Sequence, residues 1–139
     1  MSKRIPLHWR LIPHRYRLLG SACNRCNEKF FPQRSICPNC RRKGEISEIK
    51  FAGTGEIYSY TIIHVASRGF EFMKPYAMAL IKLTEGPMVT AQLVDCKPDE
   101  VEVGRKVFMV FRKINADGEK GIIRYGYKFK LVPAGGHGV

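Results

Sequence analysis

Acidic residues are scarce in this sequence of 139 residues, above all near its beginning. Asp and Glu number 12 against 24 Lys and Arg, which gives a formal net charge of +12 at pH 7. Residues 1–50 hold only 3 of the acidic residues but 12 of the basic ones. Excess positive charge attracts nucleic acid, phosphorylated cofactors or acidic protein surfaces, or else only keeps the chain in solution. The scarcity predicts an anionic partner for the N-terminal third in particular.

Long hydrophobic runs and catalytic motifs are also missing. No apolar run reaches the roughly 18 residues of a membrane helix, and the N-terminus has no uninterrupted apolar stretch that could serve as a signal peptide. We therefore expect a soluble, cytoplasmic protein. The sequence has no Ser-His-Asp order, no paired carboxylates and no glycine-rich phosphate loop. We therefore expect that the protein is not an enzyme and has no catalytic residues.

Four of the five cysteines lie in one segment, CNRCNEKFFPQRSICPNC at residues 23–40. The pattern Cys-x2-Cys-x10-Cys-x2-Cys is typical of a zinc ribbon, in which two turns direct four sulfur atoms to one point. Thiolates suit zinc, and in a reducing compartment regularly spaced cysteines favour a metal over disulfides. Four protein ligands leave no open position, so we predict a structural zinc site, with iron in a rubredoxin-like site as the alternative. The predicted ligands are Cys23, Cys26, Cys37 and Cys40.

The fifth cysteine and one histidine give weaker signals. Cys96 lies at the end of a predicted strand, and a lone cysteine is most often a small buried apolar residue. His64 lies in the predicted strand SYTIIHVA, where it is a candidate for a binding role on one face of a barrel. We expect no catalytic role for Cys96, because the nearest histidine is far away in the sequence.

The sequence changes in character twice along the chain. The first segment is predicted to hold a short helix, since Trp9, Ile12 and Tyr16 recur at helical spacing. Pro13 is expected to kink this helix or to begin a second turn. The helix would pack on the rest of the chain or dock on a partner. The predicted segments are an N-terminal docking segment at 1–20, a zinc ribbon at 21–50 and a barrel at 51–135.

From about residue 51 the sequence is rich in β-branched and aromatic residues. Five such runs are separated by turn-forming stretches, and no long helical pattern lies between them. EGP predicts a tight hairpin and PDEVEVG a single helical turn. Five strands predict a mostly β fold with a small antiparallel barrel, either an oligonucleotide/oligosaccharide-binding (OB) fold or, as the alternative, an SH3-like barrel. The runs are GTGEIYSYTIIHVA, YAMALIKLTE, PMVTAQLVD, KVFMVFRKI and GIIRYGYKFKLV.

Several pieces of the sequence, in one order, resemble the DUF35 family, in which a rubredoxin-like zinc ribbon precedes an OB-fold. A ribbon alone serves many functions, but the ribbon followed by G-x-G-x-x-Y-S-Y-T and P-Y-x-x-A-L-x-x-L-x-E-G is specific. The resemblance runs from about residue 8 to residue 132. Its pieces are YRLLGSACNRC, FFPQRSICPNC, GTGEIYSYTIIH, PYAMALIKLTEGPMVTAQLVD, VGRKVFMVFRKI and GIIRYGYKF.

The resemblance implies a non-catalytic accessory subunit of thiolase-type acyl-CoA enzymes. Archaeal members accompany acetoacetyl-CoA thiolase and hydroxymethylglutaryl-CoA synthase of the mevalonate pathway, and help to form a coenzyme A site. The resemblance also implies the same four metal ligands. Members typically have Gly after the first cysteine pair, where this chain has Asn27. Asn adopts the left-handed conformation better than most residues, so we expect the turn to form.

Coenzyme A would bring phosphates and an adenine ring to such a site. Basic ribbon residues offer contacts to phosphate, and aromatic residues near the first barrel strand offer stacking surfaces. The opposing interpretation is a solvated or docking face for the basic residues and a core position for the aromatic ones. The ribbon candidates are Arg25, Lys29, Arg34, Arg41 and Arg42, and Phe72 is a further aromatic candidate. The predicted coenzyme A site consists of Arg25, Arg34, Tyr60, His64, Phe70 and Tyr76.

A second hypothesis is a single-stranded nucleic-acid-binding protein. OB-folds with surface aromatic residues and basic neighbours bind single strands. Against this hypothesis, residues 51–139 hold 12 basic and 9 acidic residues, so the segment expected to carry the binding groove has little excess charge. A stand-alone enzyme is a third class, which no acid, base or nucleophile set supports.

Overall fold

Two units make up the protein, and the chain divides between Ala52 and Gly53. The computed structural model describes residues 5–116 and 118–133. We call residues 5–52 the ribbon unit and residues 53–133 the barrel unit. The last two residues of the predicted barrel, 134 and 135, lie outside the described residues, as do the first four of the predicted docking segment.

The ribbon unit begins with a helix and continues as a small antiparallel sheet. β1 lies between β2 and β3 in this sheet. β1 pairs with β3 from Leu19 opposite Lys50 to Cys23 opposite Ile46. This pairing fixes the position of the first cysteine of the ribbon. The elements are α1 (Ile5–Tyr16), β1 (Leu19–Cys23), β2 (Lys29–Phe30) and β3 (Ile46–Lys50).

The predicted N-terminal helix is confirmed, and it continues through Pro13. A proline within a helix lacks the N–H that would reach the carbonyl four residues earlier, here that of Trp9. None of the residues of α1 is buried, and the Trp9 side chain is 75% exposed. The docking role of residues 1–20 and the three segment boundaries stay predictions.

Five strands form the barrel unit, at the positions that the sequence predicted. They close in the order β4-β5-β6-β8-β7, and β7 pairs back to β4. This mostly β, five-stranded barrel has the architecture of an OB-fold. The strands are β4 (Thr54–Ile63), β5 (Tyr76–Leu83), β6 (Met88–Val94), β7 (Lys106–Ala116) and β8 (Ile123–Leu131).

One strand pair departs from the predicted antiparallel arrangement. β6 and β8 run parallel, with Leu93 opposite Phe129 and Val94 opposite Lys130. Five strands cannot alternate in direction all the way around a closed ring, so one neighbouring pair has to be parallel. The other four pairs are antiparallel.

The core of the barrel unit follows the two-residue period of its strands. Alternate residues of β5 from Ala77 to Leu83 are buried, as are alternate residues of β6 from Val89 to Leu93. Successive side chains of a strand point to opposite faces, so these rows share the interior of the barrel. Phe129 of β8 is fully buried with them.

Two predicted connections are confirmed. In the EGP hairpin, the Gly86 N–H donates to the Leu83 carbonyl at 3.0 Å and the Leu83 N–H donates to the Pro87 carbonyl at 2.9 Å. Gly86 has φ of 118°, a value that glycine adopts readily. The predicted single helical turn is a 3-10 turn at Pro98–Glu100. A further 3-10 turn, Glu71–Met73, lies in the loop between β4 and β5 and was not predicted.

Candidate metal centre

The four predicted ligands meet at one point of the ribbon unit. Their sulfur atoms all lie within 4.8 Å of one another, and the Sγ atoms of Cys26 and Cys37 are 3.6 Å apart. Four thiolates at about 2.3 Å from a tetrahedral zinc ion would be about 3.8 Å from one another. The cluster therefore has the dimensions of a four-cysteine metal site, and it could hold a metal ion.

The two cysteine pairs are shaped by the same turn. The Asn27 N–H donates to the Cys23 carbonyl at 2.9 Å, and the Arg41 N–H donates to the Cys37 carbonyl at 2.8 Å. Asn27 has φ of 58° and Arg41 has φ of 50°, so both residues are left-handed. The turn expected at Asn27 is confirmed. The equivalent strained position at Arg41, which glycine would occupy at less cost, was not anticipated.

Gly44 is a part of this site that the sequence analysis missed. A Cβ atom at Gly44 would lie 2.9 Å from the Cys40 Cβ and 3.1 Å from the Cys23 Sγ. The backbone therefore has to pass close to the sulfur atoms, and only glycine leaves the room. The signal in the sequence was a glycine four residues after the last cysteine, where the chain turns back toward β3.

The ionisation of the cysteines also suits a cation. Hydrogen bonds from the backbone of Cys26 and Arg25 lower the pKa of Cys23 to about 6. Burial, followed by the nearby sulfur atoms of Cys26 and Cys23, raises the pKa of Cys40 to about 12. The lowered pKa favours the thiolate form of Cys23, whereas burial and the neighbouring sulfur atoms favour the neutral thiol of Cys40. A divalent cation between the four sulfur atoms removes this conflict, because it stabilises thiolates.

The metal cluster is also a hydrophobic cluster of the ribbon unit. Cys23, Phe30 and Cys37 are buried together, and Cys40 and Ile46 pack against them. Cys26 is exposed. Three of the four cysteines, Cys23, Cys37 and Cys40, therefore also belong to the buried cluster of the ribbon unit.

The coenzyme A candidates of the ribbon unit lie on its surface. Arg25 and Arg34 are both exposed. The Arg34 guanidinium lies over the Phe30 ring, 5.3 Å from its centroid, and the backbone N–H of Arg34 donates to the Ser21 hydroxyl at 3.0 Å. The contact with the Phe30 ring gives the Arg34 side chain a partner that a purely solvated side chain would lack. The further basic candidates Lys29, Arg41 and Arg42 are also exposed.

The other four candidates lie in the barrel unit, and the structure brings two of them together. The rings of Phe70 and Tyr76 are 6.2 Å apart between centroids, at 37°. Tyr60 lies opposite Ala79 in the register of β4 and β5 and is 42% exposed. His64 is exposed just beyond the end of β4, outside the strand predicted to hold it. The role of all six candidates in binding coenzyme A stays a prediction.

Tyr76 also lines a cavity of about 400 Å³ in the barrel unit, whose charged residues the sequence analysis missed. Those residues are Asp95, Arg112, Lys113 and Lys128. Lys128 in particular sits in the alternating run KFK, where a lysine is expected to point to solvent, yet it is buried. No pattern of spacing marks these residues, because they come together from β7, β8 and the residue that follows β6.

Cys96 lines the same cavity and is half-buried rather than fully buried. Burial, followed by the Glu100 carboxylate, raises the pKa of its thiol. A raised pKa keeps the thiol protonated and makes it a poor nucleophile. The absence of a catalytic role for Cys96 stays a prediction.

Comparison with known proteins identifies the family. Residues 48–112 match the model of the C-terminal OB-fold domain of ChsH2. A DUF35 domain-containing scaffold protein from Methanothermobacter thermautotrophicus is 52% identical over 122 residues, which cover 88% of this chain and 92% of that protein. The chain belongs to the DUF35 family. The predicted family resemblance is thereby confirmed.

Two further similar proteins bear the names of an aldolase and of a thiolase subunit. A chain of the solved structure of an Ltp2–ChsH2(DUF35) aldolase is similar with a TM-score of 0.68 and 29% identity, covering 94% of this chain and 96% of that one. The benzoylsuccinyl-CoA thiolase subunit BbsA of Thauera aromatica is 26% identical over 83% of this chain and 76% of that subunit.

The helices in the described part of the chain are too short or too polar to span a membrane.

Proposed function

We propose that this DUF35 chain is a non-catalytic accessory subunit, a scaffold that binds a thiolase-fold acyl-CoA enzyme and helps to form a coenzyme A or acyl-CoA site. The proposed partners are acetoacetyl-CoA thiolase and hydroxymethylglutaryl-CoA synthase, singly or together, in the cytoplasm. The observation that carries the proposal is the similarity to a scaffold protein over 92% of its length. The similarity to a thiolase subunit supports the choice of enzyme class.

We propose that the metal centre holds a structural zinc ion. Four protein thiolates complete a tetrahedral shell and leave no position for a water molecule or a substrate. Binding would therefore stabilise the ribbon unit and supply no chemistry of its own. Iron is the competing metal, and the two are separated by elemental analysis of the purified protein together with its visible absorption. Iron held by four thiolates is coloured, whereas zinc is not.

Each unit, taken by itself, has exposed or partly exposed residues that support binding of coenzyme A. Arg25 and Arg34 place exposed guanidinium groups on the ribbon unit, and guanidinium groups bind phosphate through paired hydrogen bonds. Phe70 and Tyr76 form an aromatic pair on the barrel unit. An aromatic pair of this kind suits an adenine ring or the apolar part of pantetheine. The guanidinium groups thus match the phosphates of coenzyme A, and the aromatic pair matches its adenine ring or its pantetheine.

The partner is tested by mixing the metal-loaded full-length chain with each purified enzyme and measuring the mass of the complex by light scattering after gel filtration. We expect a stoichiometric complex at salt concentrations of both about 0.1 M and about 0.5 M, because an interface with an apolar core is only weakly screened. Separate elution of all three proteins at both salt concentrations would contradict the proposal.

The role of α1 in this complex is tested by Trp9→Ala. An exposed tryptophan at the centre of an interface contributes about 2 kcal/mol or more to binding. We expect that loss in the affinity for the enzyme, with the fold unchanged. The matched control is Val65→Ala, which removes another strongly exposed apolar side chain, in the barrel unit. Equal affinity of the Trp9 variant and the wild type would show that this residue of α1 makes no essential contact.

Single-stranded nucleic acid remains the second candidate partner, and one observation favours it. The rings of Phe111 and Tyr125, on β7 and β8, stack at 5.4 Å and 10°, and both side chains are exposed. Exposed aromatic residues bind unpaired bases by stacking. A labelled oligonucleotide distinguishes the two functions. Strand binding should weaken steeply between about 0.05 and 0.2 M salt, since counterion release drives it.

A further inference from the structure

The cavity of about 400 Å³ in the barrel unit has an excess of positive charge. Three cations and one carboxylate line it, namely Arg112, Lys113, Lys128 and Asp95. The carboxylate is already engaged, because Asp95 Oδ2 accepts from Arg112 Nη2 at 3.1 Å and lies 3.4 Å from Lys130 Nζ. Asp95 therefore cannot neutralise the remaining cations, and the cavity attracts an anion.

Lys128 is the most unusual of these cations. Its relative exposure is 3%, and within the described part of the chain its ammonium donates only to the Met73 thioether, at 3.7 Å. A thioether is a weak acceptor, and the Gln92 amide donates to the same sulfur at 3.6 Å. A buried ammonium is costly unless it is paired with an anion. Burial, followed by the Arg112 charge, lowers the pKa of Lys128, and a bound anion would reverse that effect.

The uncharged residues that line the cavity indicate what kind of molecule would carry the anionic group. They include the Tyr76 ring, Pro75, Pro98 and Leu93, so the cations face an apolar and aromatic surface. The volume is within the range of sites for small organic molecules and exceeds what an inorganic ion needs. A dianionic phosphate ester matches an excess of two positive charges better than a monocarboxylate does.

We propose that this cavity is a binding site in which Lys128 and Arg112 hold the phosphate group of a small organic molecule against the wall formed by Tyr76. The inference does not rest on the proposed function. Coenzyme A is one source of such a phosphate, and an unrelated phosphate ester is another. The site is carried by residues of β5, β6, β7 and β8 together with Met73 of the preceding loop.

The test is calorimetric titration of the metal-loaded full-length chain with phenyl phosphate, coenzyme A and inorganic phosphate. We expect saturable one-to-one binding of phenyl phosphate, with amide resonances of Met73, Gln92 and Lys128 shifted on binding. Coenzyme A that shifts the same resonances would identify it as a source of the phosphate. If phenyl phosphate binds and coenzyme A does not, the cavity site stands and coenzyme A is not the source of its phosphate, while the proposed function is judged separately by complex formation with the enzymes. Absence of saturable binding by all three probes would overturn the inference.

Substitution locates the effect. Lys128→Met removes the ammonium but keeps the length of the side chain, and it should weaken phenyl phosphate binding at least about tenfold. The ligand-free variant should unfold at the same temperature as the wild type or higher, because it loses an unpaired buried charge. Lys82→Met, at an exposed position of β5 outside the cavity, should leave binding unchanged.

Arg112→Gln is the second variant, in case Lys128→Met does not fold. Arg112 is about half exposed, so its substitution should leave the fold intact and weaken phenyl phosphate binding several-fold. Wild-type affinity in whichever of the two variants folds would overturn the assignment of the cations.

Discussion

The cysteine cluster of the ribbon unit and the core of the barrel unit bury different kinds of side chain. Two of the three buried residues in the ribbon cluster are cysteines, Cys23 and Cys37, with Phe30 between them in the sequence. The barrel instead buries alternating aliphatic rows on β5 and β6. A metal bound by the four cysteines would supply stability that apolar area supplies in a larger core. We therefore expect different treatments to unfold the ribbon unit and the barrel unit.

The units also differ in where they keep their positive charge. The basic candidates of the ribbon unit, Arg25 and Arg34, are exposed. The barrel unit has less excess charge but buries one of its cations, Lys128, in a cavity. Exposed cations suit a docking face or a large anionic partner, whereas a buried cation suits one small anion. The balance of charge along the sequence therefore does not reveal where a small ligand binds.

We expect the largest effect from substituting one of the four clustered cysteines, which should unfold the ribbon unit and leave the barrel unit folded. In Cys37→Ser, one ligand of the closed site is lost, and structural zinc supplies on the order of 10 kcal/mol to small zinc-binding domains. We expect resonances of residues 19–50 to collapse while those of residues 54–131 persist in a nitrogen–proton correlation spectrum. The control is Cys96→Ser, at a cysteine outside the cluster, which should leave both sets in place. Loss of both sets together in Cys37→Ser would show that the units do not fold separately.

The reciprocal change is made in the barrel core. Ile81 is fully buried on β5, and truncating such a residue to alanine costs about 2 to 5 kcal/mol. Ile81→Ala should lower the free energy of unfolding of the barrel unit by that amount, measured by urea titration, with metal content unchanged. Ile123→Ala, at an exposed isoleucine, should stay within about 0.5 kcal/mol of the wild type. Metal loss from the folded Ile81→Ala variant would contradict the expectation that the barrel core has no influence on the metal centre.

A methyl group beside the sulfur atoms should have an intermediate effect. In Gly44→Ala, the new Cβ would lie 2.9 Å from the Cys40 Cβ, and overpacking of this kind costs about 1 to 3 kcal/mol. We expect weaker metal binding, measured by competition with a chelator. Gly20→Ala is the matched variant, since the atoms nearest to its methyl group would belong to Phe51 and Phe30 in the same unit. It should destabilise the ribbon unit with little change in metal exchange, and equal effects on exchange would contradict the role of Gly44.

The smallest expected effect concerns acid and the barrel unit. Hydrogen bonds from Arg112 and then Lys130 lower the pKa of Asp95. A carboxyl group with a lowered pKa stabilises the folded state above its ordinary pKa of about 3.9, and this contribution disappears as the pH falls through the lower folded value. Asp95→Asn should therefore reduce the loss of stability in that acidic range. The effect should be small because the group is exposed and screened.

The pH series is followed through barrel resonances, because acid also releases a metal from thiolates in the ribbon unit. Salt gives the control, since raising the ionic strength at neutral pH should shrink the difference between wild type and variant. Identical acid profiles for the two proteins would remove Asp95 from the account of barrel stability.

Much of the fold follows from local sequence, and the exceptions have a physical cause. The five barrel strands are visible because each run is bounded by turn residues and rich in β-branched side chains. The parallel contact of β6 with β8 is not visible, since it depends on ring closure between distant segments. The strands of the ribbon sheet were not predicted either. β2 has only two residues, and β1 and β3 carry no clean alternation of burial.

The candidate sites also differ in how far the sequence predicts them. The cysteine cluster was predictable because spacing alone brings two pairs to one metal. Gly44 was predictable in principle, as a glycine close to the last ligand. The cavity cations were not, because Lys128 and Arg112 lie in alternating runs whose period gives no sign of which face is covered by the loop that contains Met73. Only the tertiary structure shows that burial.

The most direct test of the central claim is capture of the tagged protein from its native lysate, with and without nuclease, followed by mass spectrometry. We expect stoichiometric recovery of a thiolase or a hydroxymethylglutaryl-CoA synthase, unaffected by nuclease. Recovery of nucleic acid with nuclease-sensitive partners, and of no acyl-CoA enzyme, would contradict the scaffold function and favour strand binding.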